Sequence, residues 1–150
     1  MEGVCKVSQQ AESAHTYKIV VATGKRKTSI ARAVIKPGEG RVWINNVPLE
    51  IYPIEMAREK IAEPLYLVGD LIKMVDIKVN VKGGGVMSQA DACRMAIARG
   101  LVEYFSEYSE ELKKIFKEYD RTMLSGDPRQ TEPEKWGRYS ARRRWQKSYR

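Results

Sequence analysis

Apolar and polar positions alternate most cleanly where Val75, Ile77, Val79 and Val81 are separated by Asp76, Lys78 and Asn80, with Lys82 following. A period of two sends successive side chains to opposite faces, so this stretch is predicted to be a strand with one face buried and one wet. YKIVVAT (17–23) and SIARAVIK (29–36) are short and rich in β-branched residues, and they are predicted as strands joined by the loop GKRKT. Pro37-Gly38-Glu39-Gly40 reads as a turn, residues 41–44 as a short strand and Asn45-Asn46 as a second turn. Ile54, Ala57 and Ile61 suggest a short helix. Pro64 is suited to opening another, with Leu65, Val68, Leu71 and Ile72 on one face.

The clear strand ends in Gly83-Gly84-Gly85. Ser88 and Asp91 then make an S-x-x-D start resembling a capping box. Cys93, Ala96, Ile97, Gly100, Leu101, Tyr104 and Phe105 follow at helical spacing. Their small members let the helix lie close to a sheet, although Gly100 costs about 1 kcal/mol of helix propensity against alanine. Leu112, Ile115, Phe116 and Tyr119 predict a last amphipathic helix. Beyond Tyr119 the apolar period stops, and Gly126, Asp127-Pro128, Pro133 and Gly137 interrupt any regular element. The expected organisation is a disordered extension over 1–16, a globular α/β domain over 17–120 and a basic extended tail over 121–150.

Charge changes this picture more than composition does. The net charge is +8, but it is segregated. Residues 25–41 hold six basic groups against one acidic, and residues 121–150 nine against three, while residues 42–120 hold ten against thirteen. Positive charge gathered into two segments points to a polyanionic partner. No apolar run is long enough to span a membrane, and no secretory leader is visible. Cys5 and Cys93 lie far apart in different contexts, so a reducing cytoplasm is expected, with Cys93 a small buried hydrophobe.

Candidates for chemistry fall away in turn. Gly24-Lys25 lacks a Walker A frame, because position 19 is Ile and position 26 is Arg. Gly83-Gly84-Gly85 before a helix suits either a phosphate cradle or a tight turn. His15 has no ligand partners nearby, and Glu103, Glu107, Glu110 and Glu111 read as a solvated helix face. Neither catalytic residues nor metal ligands nor a cofactor are expected. The two basic segments remain. Lys25, Arg26 and Lys27, with Arg32 further along the second strand, favour phosphate binding over a merely soluble hairpin tip. In the tail, Arg138, Arg142, Arg143, Arg144, Lys147 and Arg150 surround Trp136, Tyr139, Trp145 and Tyr149. Arginine forks match phosphate oxygens, and aromatic rings stack on unpaired bases. An amphipathic terminal helix, with Trp145 and Tyr149 four apart, and a membrane-interface anchor are the alternatives.

Three blocks, GKRKTSIARAVI (24–35), GGGVMSQADACRMAIARGL (83–101) and YDRTMLSGDPR together with the ending SARRRWQKSYR, resemble the small-subunit ribosomal protein nine family in its archaeal and eukaryotic form. The resemblance covers residues 17–150. It implies an α/β (α+β) two-layer sandwich with a split β-α-β unit, a mixed sheet with helices on one face and a long basic C-terminal tail; the element order agrees. It also implies a structural, non-enzymatic protein in the head of the small subunit of cytoplasmic ribosomes. Small-subunit ribosomal RNA would be bound by Lys25, Arg26, Lys27, Arg32, Arg138, Arg142, Arg143, Arg144, Trp145 and Lys147. The tail would thread towards the peptidyl-site tRNA, which Tyr149 and Arg150 would touch. Bacterial relatives end in Lys-Arg, so here the terminal cation carries over. The implied partners include neighbouring head proteins, but neither a membrane nor a second copy of the chain. The runner-up is an RNA-binding or RNA-modifying accessory factor with the same tail.

Overall fold

The computed structural model describes residues 18–145 and 147. The expected extension over 1–16, with Cys5 and His15, and the terminal pair Tyr149 and Arg150 lie outside the described residues.

Five strands form one mixed sheet: β1 (Val20–Arg26), β2 (Ser29–Pro37), β3 (Val42–Ile44), β4 (Val47–Pro48) and β5 (Val75–Lys82), in the order β1-β2-β5-β3-β4. β1 and β2 pair antiparallel, as do β2 and β5, and β3 and β4; β3 and β5 run parallel. A parallel pair needs a crossover, supplied here by α1 (Glu55–Val68), so the β-α-β unit is β3-α1-β5 with its two strands adjacent. α2 (Val86–Tyr104) lies across β1, β2 and β5, with α1 beside it. α3 (Ser109–Tyr119) and the short α4 (Thr122–Ser125) pack on the helices. This is the expected mixed α/β class with helices on one face, but the β-α-β unit is not split as expected, because β3 and β5 are hydrogen-bonded neighbours with no strand between them.

The alternation reads directly in the burial. Ala31, Ala33 and Ile35 of β2 and Val75, Ile77, Val79 and Val81 of β5 face α2 and are buried, each Val or Ile contributing about 1.5–3 kcal/mol. Val21, Ile30, Arg32, Val34, Lys78 and Lys82 face away, and no helix among the described residues covers them. Ala92 and Ala96, on one face of α2, bring the helix down onto the sheet. The approach is closest at Gly24, where a Cβ would lie 2.1 Å from the Ala92 carbonyl oxygen and 2.7 Å from the Ala96 nitrogen. Cys93 is buried among these groups, and burial pushes its thiol up to about 12.

Four local expectations are corrected. The strand continues through Lys25 and Arg26, so the loop between β1 and β2 is the two-residue turn Lys27-Thr28. Pro64 does not begin a helix: α1 runs through it, held by Ile61, Ala62, Pro64 and Val68, all buried, while Leu71 and Ile72 lie in a 3-10 turn. Ser88 is not the cap of α2 but its third residue, and its Oγ accepts the Gly85 N–H at 3.0 Å. The core also passes Tyr119. Met123 in α4 is 1 % exposed, whereas Ile115 and Tyr119 of α3 point outward. Period alone missed α4 because one turn of helix is too short to show a repeat.

Candidate nucleic-acid interface

Three consecutive cations on a strand cannot share a face. Lys25 points to the open side of the sheet and is exposed. Lys27 sits in the turn with φ at 52°, a left-handed conformation uncommon for a residue with a side chain. Arg26 turns the other way, towards α2, and its side chain is only 16 % exposed. Its guanidinium pairs with Asp127 at 3.0 Å and approaches Asp91 at 3.7 Å, and Nη1 donates to the Arg129 carbonyl oxygen at 3.3 Å. Lys60 on α1 closes the group by meeting Asp91 at 2.7 Å.

Arg26 is one of three arginines that clamp the segment leading into the tail. Arg94, with a side chain 9 % exposed, stands between Glu63 of α1 at 2.8 Å and Asp120 at the end of α3. A cation so little solvated needs both carboxylates to offset its desolvation. Burial works against the charge of Asp120, but the N–H and hydroxyl of Thr122 and the Arg94 guanidinium outweigh it and hold its pKa below the usual carboxylate value. Arg99 donates to the Leu124 carbonyl oxygen from Nε at 2.9 Å and Nη2 at 2.7 Å, and to the Thr23 carbonyl oxygen from Nη1 at 3.0 Å. Asp127 takes a fork from Arg129 besides its bond to Arg26, and the hydrogen bonds from Arg129 hold its carboxyl well below the ordinary range. Residues 120–129 are thus fastened to β1 and α2, which fixes the place where the basic tail leaves the body.

The glycine triplet is committed to folding. Gly83 and Gly84 have φ of 81° and 67°, open to glycine without strain. Their tight turn brings the start of α2 back to the fully buried Ser29. The Ser29 Oγ donates to the Gly83 carbonyl oxygen at 2.9 Å and lies 2.9 Å from the Ser88 Oγ; Gln89 donates to the same carbonyl at 3.0 Å. With the Gly85 N–H also taken, the turn is already furnished with partners from the protein itself.

No helix or strand is present among the described residues after α4. Trp136 is 92 % exposed, and Tyr139 and Trp145 are exposed too. Arg142 forks onto Glu132 at 2.6 and 2.9 Å. The Arg138 guanidinium lies 4.9 Å from the Trp145 ring centre, and that of Arg143 lies 5.4 Å from Tyr139. Arg144 and Lys147 are exposed. So Lys25, Lys27, Arg32, Arg142, Arg143, Arg144 and Lys147 are presented outward, Arg138 is half-buried against the Trp145 ring, and Arg26 is engaged inside. Sequence reasoning missed the clamp formed by Arg94 and Arg99, whose only signal was an arginine amid small apolar residues on a buried helix face. Among the described residues no His, Cys, Asp and Glu side chains group to hold a metal ion, and no helix is long and apolar enough to cross a membrane.

Comparison with known proteins places these features in a family. Residues 24–150 match the family described as ribosomal protein S9/S16. The chain is 76% identical over 133 residues to the small ribosomal subunit protein uS9 of Desulfurococcus amylolyticus, covering 89% of this chain and 94% of that one. The protein of the same name from Aeropyrum pernix is 64% identical over 147 residues (89% and 97% covered), and that from Thermoplasma volcanium 51% over 131 residues (87% and 98%). The family match takes in the turn, the clamp and the tail, and the chain belongs to the ribosomal protein S9/S16 family.

Proposed function

We propose that this protein is a structural, non-enzymatic component of the small ribosomal subunit in the cytoplasm. It binds the subunit's ribosomal RNA, lies among the proteins of the subunit head, and reaches the peptidyl-site tRNA with Tyr149 and Arg150. The observation that carries the RNA-binding part is the tail over 136–145, where the exposed rings of Trp136, Tyr139 and Trp145 stand beside arginines on a segment with no helix or strand. Rings left in water at that density call for a partner. Arginine forks for phosphate oxygens and aromatic faces for unpaired bases suit RNA. Lys25, Lys27 and Arg32 add phosphate contacts from the body, with Arg26 supporting the tail's point of departure.

The test is sedimentation through a sucrose gradient, with peptidyl-site tRNA dissociation measured on the recovered subunits. The full chain is expected to travel with small subunits. A chain lacking Tyr149 and Arg150 should be incorporated equally but release tRNA faster, the loss of one charge-assisted contact being worth about 1–3 kcal/mol. A chain found only in a free pool would refute the ribosomal placement. Equal release rates at equal incorporation would remove the tRNA contact and leave the tail as an RNA anchor.

A further inference from the structure

The sheet has a second face, and it is charged in a way the linear sequence conceals. Residues 42–120 carry more acid than base, yet pairing sets the lysines of β5 beside the cations of β2. In register, Thr23, Arg32 and Asn80 form one row across β1, β2 and β5; Lys25, Ile30 and Lys82 form the next; and Val21, Val34 and Lys78 a third. With Lys36, five cations stand on the uncovered face. Among the described residues of these three strands, Asp76 is the one carboxylate there. It is occupied, accepting the N–H groups of Glu39 at 3.0 Å and Arg41 at 3.1 Å. On this face lies a concavity of about 450 Å³, its lining including Val21, Arg32, Val34, Lys78 and Lys82 and the turn residues Asn45 and Asn46.

Resting on the proposed binding of ribosomal RNA, we propose that this open face is itself an RNA-binding surface, separate from the tail, and that it takes the backbone of a double-helical segment rather than unpaired bases. The charge favours RNA over protein: lysine is depleted at protein interfaces, and carboxylates to answer these cations would have to come from the partner. One ring borders this face, Trp43 of β3 in register with Lys78, but the outward positions of β1, β2 and β5 carry none, so the sheet offers no row of rings for stacking successive bases. What remains is short β-branched side chains, two amide- or hydroxyl-bearing residues and spaced cations. Lys78 and Lys82 are four residues apart on one strand, about 13 Å. Such a surface meets the phosphates and 2′-hydroxyls of a shallow RNA groove by shape and charge.

The experiment uses the full chain and protein-free small-subunit ribosomal RNA, comparing the wild type with Lys78→Gln/Lys82→Gln and with Lys78→Arg/Lys82→Arg. Circular dichroism checks folding, and both positions are exposed. The glutamine pair is expected to weaken binding about tenfold and to flatten the dependence of log affinity on log salt by about 2, one for each phosphate contact. Hydroxyl-radical protection of a paired RNA segment should fade with it, and the arginine pair should restore both. If the wild type binds but the glutamine pair binds equally with an unchanged salt slope, the open face is not an RNA surface, although RNA binding stands. If the wild type itself does not bind, the RNA-binding proposal fails. Normal binding to free RNA with lost incorporation into subunits carrying other head proteins would assign the face to a protein and overturn the inference. Loss of protection confined to unpaired nucleotides would overturn its commitment to duplex.

Discussion

Ending the chain at Tyr119 should unfold a protein that ending it at Arg129 leaves intact. The shorter chain removes Met123, which is 1 % exposed. Emptying such a site by truncation to alanine costs about 2–5 kcal/mol, and loss of the whole segment no less. It also strips Arg94 of Asp120 and leaves Glu63 as its one carboxylate. Breaking a buried pair costs about 3–5 kcal/mol, discounted here because Glu63 remains. Arg99 loses the Leu124 carbonyl oxygen but can turn to water. Allowing for overlap, the loss is on the order of 4–8 kcal/mol, against a total stability of about 5–15 kcal/mol for a domain. Urea titration followed by circular dichroism checks this. The chain ending at Arg129 should match the full protein in midpoint and slope, whereas the chain ending at Tyr119 should show a much lower midpoint or no cooperative transition. Met123→Ala in the full chain isolates the packing part and should cost about 2–5 kcal/mol. Equal midpoints for all three would refute the view that residues 120–129 belong to the folding unit.

Two further predictions rest on single positions. Gly24→Ala drives a methyl group into the backbone of α2 and should destabilise by about 1–3 kcal/mol, visible as a lowered Tm; an unchanged Tm would mean that the helix is not held so close to β1. Asp120 has a folded-state pKa below its unfolded value, so the stability it adds is present above about pH 4 and is lost as pH falls through the folded value. Asp120→Asn should therefore lower stability near neutrality and flatten the acid limb of the stability curve, and parallel limbs for variant and parent would sink this assignment.

How much could be read in advance depended on whether a residue's role was local. β5 was legible because alternation is written into adjacent positions. The close seat of α2 was legible from its run of alanines. Arg26 was not, because its neighbours Lys25 and Lys27 make the same contribution to charge. Only the strand's alternation, extended three residues further than the loop reading allowed, turns it inward to Asp127. Met123 was not, since a single helical turn has no period. The basic open face was hidden by arithmetic along the chain: Lys78 and Lys82 sit in a segment of net negative charge and join Arg32 only through register. The outward display of the tail's rings followed from composition, since too few apolar neighbours exist there to bury them.

The strand order carries a consequence for the time course of folding. During synthesis, β1 with β2 and β3 with β4 are each available as a local hairpin before β5 has been made, and neither hairpin borders the other. β5 is the keystone, entering between them antiparallel to one and parallel to the other. The contact that seals its far end joins Ser29 to Gly83 across 54 positions. Closing so long a loop is the entropically dear step, and local hairpins cannot offset it until the strand arrives. The nascent chain therefore carries two half-sheets with unpaired edges facing solvent, the state in which a β protein is most exposed to pairing with the wrong neighbour.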